Sequence, residues 1–163
     1  MRAGSERQKW YRVRLAPLDQ PAAAEYWDDF YSWLMQQAEH VRAGNWEAVD
    51  RENLADELES LGREQFNKLE SGLRVLMTDM LKWDYQPGLR SRSWALSIEV
   101  ERIGINNILS DNPGLRARIA EAIEGAYRSA RAEAANETGL EKDEFPPECP
   151  YSWDDLIERE FTL

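Results

Sequence analysis

RENLADELESLGREQFNKLESGLRVLMTDMLKW, residues 51–83, sets Leu54, Leu58, Leu61, Phe66, Leu69, Leu73, Leu76 and Met80 at spacings mostly of three and four. That is the period of a helix with one apolar stripe. Asp50 precedes the run and can accept from the first free N–H groups as an N-cap. Pro87-Gly88 stops it. An unbroken helix over this stretch would be about 50 Å long at 1.5 Å per residue. Gly62 and Gly72 each cost about 1 kcal/mol relative to alanine in a helix interior. Such small residues either admit a close helix neighbour or, at Gly62, mark a kink.

Upstream, Trp27, Phe30, Tyr31, Leu34, Ala38 and Val41 form a second stripe, ending at Gly44, which suits a left-handed helix terminus. Downstream, Trp94, Ile98, Ile103, Ile105, Ile108 and Leu109 spread around more than one face, which predicts a central and enclosed third helix. Pro113 suits a helix start. The fourth helix carries Leu115, Ile119, Ile123, Ala126, Tyr127, Ala130 and Ala134 and ends at Gly139. The prolines of residues 144–150 impose an extended segment. Ser152 then opens a short last helix with Asp155 placed for a capping box. The fold class that follows is all-α: a single-domain bundle of about four main helices with one long central helix, plus a short C-terminal helix. It spans residues 22–163.

Residues 1–21 are a separate N-terminal arm. Within 1–20, Arg2, Arg7, Lys9, Arg12 and Arg14 stand against Glu6 and Asp19, a net of +3. Tyr11, Val13 and Leu15 alternate with arginines in a strand-like period. The arm is expected to be flexible or to dock on a neighbouring subunit. The whole chain carries −11, so residues 21–163 carry −14. A body of that sign repels phosphate backbones and argues against direct nucleic-acid binding. At 163 residues the chain can bury a core without a disulfide or metal staple. Its single cysteine, Cys149, fits a reducing cytoplasm. No apolar run approaches the roughly 20 residues of a membrane span.

Several motifs occur in a fixed order: DFYSWL (29–34), ENLADELESLGR (52–63), KWDYQPGLRSRSW (82–94), ETGL (137–140) and FPPECPY (145–151). Together they resemble the bacterial domain-of-unknown-function family numbered 29, over about residues 26–161. The resemblance implies a compact all-helical bundle and no established reaction, substrate or cofactor. A histidine often sits in that family four positions before the junction tryptophan. This chain has Asp79 there, so a role resting on an imidazole does not carry over.

The junction at 82–94 is the expected ligand site. Trp83, Tyr85 and Trp94 could wall a flat ligand, while Arg90 and Arg92 lie at a helix N-terminus, where free N–H groups favour anions. The competing reading has the aromatics filling the bundle end and the arginines paired with carboxylates. The acidic patch Glu52, Asp56, Glu57, Glu59 and Glu64 shares helix faces, and paired carboxylates can hold a divalent metal or run acid–base chemistry. Helix-bundle di-iron sites add a Glu-x-x-His pair, which is missing around the lone His40, so no metal and no cofactor is expected. Cys149 reads as structural, since neighbouring Glu148 would raise its pKa. No phosphate loop, nucleophile elbow or Cys-x-x-Cys is present, so specific grounds for proposing an enzyme are lacking.

The expected function is a cytoplasmic protein-interaction or self-associating helical module, with a homo-oligomer or a protein as partner. One alternative is a small-molecule or metal-dependent hydrolase using Asp56, Glu57 or Glu59 with Asp79 facing them across the bundle. The other is an acidic neutraliser of a basic nucleic-acid-binding partner.

Overall fold

The computed structural model describes residues 25–163. The arm, its strand-like period and the boundary placed at 21/22 lie outside the described residues. Five α-helices are described: α1 (Phe30–Ala43), α2 (Arg51–Tyr85), α3 (Arg92–Asp111), α4 (Ile119–Thr138) and α5 (Trp153–Glu158). No strand occurs among the described residues. The chain is all-α, as its periodicities require, with one helix of 35 residues and a short one at the C-terminus. It divides into two compact units between Asp56 and Glu57.

In the first unit, Asp29 caps α1 by accepting from Ser32 N at 3.0 Å, and Gly44 ends it at φ +71°. Trp33 and Gln37, one turn apart, form the buried side of α1. Trp33 Nε1 donates to Asp50 at 3.3 Å, and the Gln37 amide oxygen accepts from Asp50 N at 2.8 Å. Asp50 also accepts from Asn53 N, and so caps α2 as expected. The apolar stripe read from the sequence is not the buried side. Phe30, Tyr31, Leu34, Met35 and Val41 are exposed, as is Trp27 (86 %) in the turn before the helix.

The second unit holds the core. Cross-helix contacts give its topology. Gly72 of α2 faces Ile105 of α3, and Lys82 faces Trp94, so these helices are antiparallel. Arg74 meets Glu133 of α4, while Lys82 meets Glu137, so α4 runs parallel to α2. Gly72 permits the approach of α3, whereas Gly125 meets only the movable carboxylate end of Glu70. A Cβ on Gly72 would lie 3.2 Å from Ile105, and one on Gly125 would collide with Glu70. Gly62 meets nothing, and α2 runs through it as helix. Ala122, Ala126, Ala130 and Ala134 form a fully buried ridge at every fourth residue of α4.

The expectation that the third helix is the most enclosed is corrected here. Leu96, Val100 (63 %) and Ile103 of α3 are exposed. The enclosed element is the second half of α2, where all eight residues 76–83 are buried, Thr78, Asp79 and Lys82 included. Besides α3 and α4, the chain after α4 covers it. Phe145, Leu156, Cys149, Tyr151 and Phe161 all join that core. The stripe of α2 is also shorter than its sequence period, since Leu58 and Leu61 are exposed.

Candidate functional site

The five junction residues do not converge. Trp83 is buried, its ring edge-to-face with Phe161 at 5.4 Å. Arg90 lies over the Trp83 ring at 5.1 Å and donates Nε to the Trp83 carbonyl at 3.0 Å. This guanidinium clamps the turn at Pro87–Leu89 onto the end of α2. Tyr85 leans on Phe145 at 4.8 Å and borders a recess of about 470 Å³ with Asp84, Pro150, Tyr151, Asp155 and Arg159. Arg92 borders a different recess, of about 240 Å³, with Leu96, Arg102 and Phe161. Trp94 receives the Lys82 ammonium over its ring at 4.9 Å. Aromatics therefore fill the bundle end, and the two arginines serve different places. Arg90 pairs with an aromatic face and a carbonyl rather than with a carboxylate.

The polar groups that do converge lie one turn deeper. Lys82 Nζ donates to Asp79 at 2.8 Å and to Glu137 at 2.6 Å, with Trp94 on its third side. Burial alone would lower the Lys82 pKa, but these hydrogen bonds and charges outweigh it and hold it above its ordinary value. An ammonium held so firmly protonated is a poor nucleophile or base. Nearby Glu101 is pushed up by burial and by the Asp79 charge, with Arg74 opposing. Arg74 pairs with Glu133, and Thr78 donates to the Arg74 carbonyl at 2.8 Å. A second cluster joins Asp84 to Arg159 through two hydrogen bonds, at 2.5 and 2.9 Å, and to Tyr151 Oη at 3.0 Å. Burial, reinforced by the Asp84 charge, moves Tyr151 far above its ordinary pKa. Sequence reasoning passed over this cluster because Asp84 and Arg159 are 75 positions apart.

No buried side-chain nitrogen or oxygen among the described residues lacks a hydrogen-bond partner. The fully buried polar atoms of both clusters are therefore satisfied within the fold, while Asp84, Tyr151 and Arg159 also border the recess beside Tyr85. The carboxylate pairing of the hydrolase reading fails on geometry. Glu57, Glu59 and Asp79 all belong to α2. Twenty residues of helix separate Glu59 from Asp79 by about 30 Å at 1.5 Å per residue, so Asp79 cannot face Glu59 across a bundle. Among the described residues no group of three or more His, Cys, Asp or Glu is placed to hold a metal ion.

His40 sits in the last turn of α1, where a cation suits the helix dipole. Cys149 lies 3.6 Å from the Met77 sulfur, and burial pushes its thiol pKa up, which disfavours the thiolate. Tyr127 is raised to about 12 by burial and donates to the Pro146 carbonyl at 2.7 Å, tying the proline segment to α4. Arg102 donates to the carbonyls of Asp155, Leu156 and Arg159 and so closes the C-terminal end of α5.

What remains unsatisfied is apolar. Phe30, Tyr31 (73 %), Leu34 and Val41 lie along one face of α1, with Trp27 just before it. Phe30 also stacks on Trp33 with ring centroids 5.8 Å apart, so Tyr31 and Trp27 are the most exposed of the group.

No described helix is long and apolar enough to cross a membrane. Neither a curated protein nor a solved structure matches the chain. Residues 26–162 match the family described as Domain of unknown function DUF29. That stretch takes in the polar networks, the junction and the exposed face of α1 alike, and the chain belongs to this family.

Proposed function

We propose that the protein is a cytoplasmic interaction module that self-associates through the apolar face of α1. The observation that carries this reading is the burial pattern of α1 itself. Its buried side, Trp33 and Gln37, is fixed by Asp50, while Tyr31 is 73 % exposed and Phe30, Leu34 and Val41 beside it are half-exposed. Leaving a large apolar side chain exposed forgoes roughly 1.5–3 kcal/mol that burial would supply. A second surface laid on this face recovers part of that. The thiol of Cys149, in a chain with no second cysteine, supports a reducing compartment. The formal charge of −11 supports a protein rather than a nucleic acid as partner.

Light scattering of the full chain across a concentration series tests the reading. The wild type is expected to move from one-chain to two-chain mass. Tyr31→Glu, at an exposed position, is expected to stay at one-chain mass with an unchanged far-UV spectrum. A wild type of one-chain mass throughout contradicts the proposal, and so does a Tyr31→Glu variant that dimerises as well as the wild type.

A further inference from the structure

We infer that the recess beside Tyr85 binds a small organic cation, an ammonium group that carries a neutral carbonyl acceptor and a flat apolar body. The site lies wholly within the second unit and goes beyond the self-association reading.

The recess, of about 470 Å³, falls within the roughly 300–1,000 Å³ of small-ligand sites. Its floor is fixed and electrically balanced. Asp84 accepts from both terminal nitrogens of Arg159, at 2.9 and 2.5 Å, and from the Tyr151 hydroxyl at 3.0 Å. Tyr151, far above its ordinary pKa, stays a neutral donor. The Asp84 and Arg159 charges thus cancel, and neither is left to select a ligand.

Asp155 is the remaining charge on the lining. Arg159 follows it by four residues, the spacing at which the two would pair on an isolated helix. The guanidinium is committed to Asp84 instead, and Asp155 is held by Ser152. Both bonds from Ser152, from N at 2.9 Å and Oγ at 2.6 Å, fall on Asp155 Oδ2. They fix the carboxylate, hold its pKa below the usual range and leave Oδ1 to accept from a ligand. The surroundings favour the same sign. Residues 141–163 hold eight acidic side chains against Lys142 and Arg159, a net of −6, a field that concentrates cations and repels anions.

The other groups give the cation its shape. Asp84 uses two of the five Arg159 N–H groups, which leaves three for a neutral acceptor. Residues four apart on a helix stand about 5–6 Å apart at Cβ, so the ligand's ammonium and acceptor belong within a few bonds of each other. Tyr85, leaning on Phe145, and Pro150 supply ring surfaces for an apolar body, and an aromatic ring also favours a neighbouring cation.

Three benzamides of similar size test this on the full chain by amide NMR at neutral pH: N-(2-aminoethyl)benzamide, a cation; N-propylbenzamide, neutral; and N-benzoylglycine, an anion. The cation is expected to shift the amides of residues 84–85 and 151–159 with a dissociation constant of about 1 mM or tighter. The neutral and anionic probes are expected to bind at least about tenfold more weakly, the weight of one hydrogen bond to a charged group. Asp155→Asn keeps an acceptor for Ser152. It is expected to weaken the cation about tenfold and to leave the neutral probe unchanged. No shift at about 20 mM cation overturns the proposal. A neutral or anionic probe that binds as tightly as the cation also overturns it, as does an Asp155→Asn variant that binds the cation like the wild type. The probe comparison on the wild type decides the matter even where the variant fails to fold.

Discussion

Asp79 and Lys82 are charged residues in the most enclosed stretch of the molecule, and the pair there is closed by Glu137 and the Trp94 face. A buried ion pair gains in Coulomb energy little more than it loses in desolvation, whereas breaking it strands a charge. Because Glu137 still holds the Lys82 ammonium, Asp79→Leu alone is expected to destabilise the fold by less than the ~3–5 kcal/mol of a fully stranded buried charge. Asp79→Leu with Lys82→Met should fall much closer to wild type in chemical denaturation. A double variant as damaged as the single one would mean that the pair does more than satisfy itself. Glu101 yields a prediction with a pH signature. Its folded pKa lies above the ordinary value of 4.5. The stabilisation from its neutral form is thus complete below about that pH and is lost as pH rises through the folded value. Glu101→Gln should melt higher than wild type at pH 7 and no higher near pH 4. A variant that melts lower at pH 7 would contradict the assignment.

Arg102 links α3 to α5 through three carbonyl hydrogen bonds. Hydrogen bonds to a charged group are worth about 1.5–3 kcal/mol, so Arg102→Leu should lower stability by about that much. It should also accelerate amide exchange in residues 153–161 more than in α4. Uniform acceleration across both would show that α5 is not held separately by this side chain. The elements themselves were largely legible. Asp50, Gly44, Gly139 and the Ser152–Asp155 capping box mark helix ends through local backbone chemistry, which needs no tertiary knowledge. Burial was less legible. Periodicity gives the apolar face of a helix but not whether anything lies against it, so the stripe of α1 reads as a seam although it is exposed. Conversely, Asp79 and Lys82 mark residues 76–83 as partly wet, because nothing local announces that Glu137 and Trp94 arrive from two other helices. The placement of the five junction residues was illegible for a similar reason. Proximity along the chain put Trp83, Tyr85, Arg90, Arg92 and Trp94 together, while the fold divides them among the end of α2, the turn after Leu89 and the start of α3.

At the scale of the whole molecule, the second unit holds an apolar, ion-paired core, while the first carries the half-exposed apolar face of α1. The all-α class and the family were readable from motif order, since helical period and cap residues are encoded within short windows. The long-range networks were not, because Asp84 meets Arg159 and Tyr151 only once the C-terminal segment has folded back. Amide hydrogen exchange of the full chain at two concentrations, below and above self-association, measures core and surface together. Residues 76–83 should exchange slowly at both concentrations, while amides of α1 should slow markedly only at the higher one. Exchange in α1 that is unchanged by concentration would contradict the account.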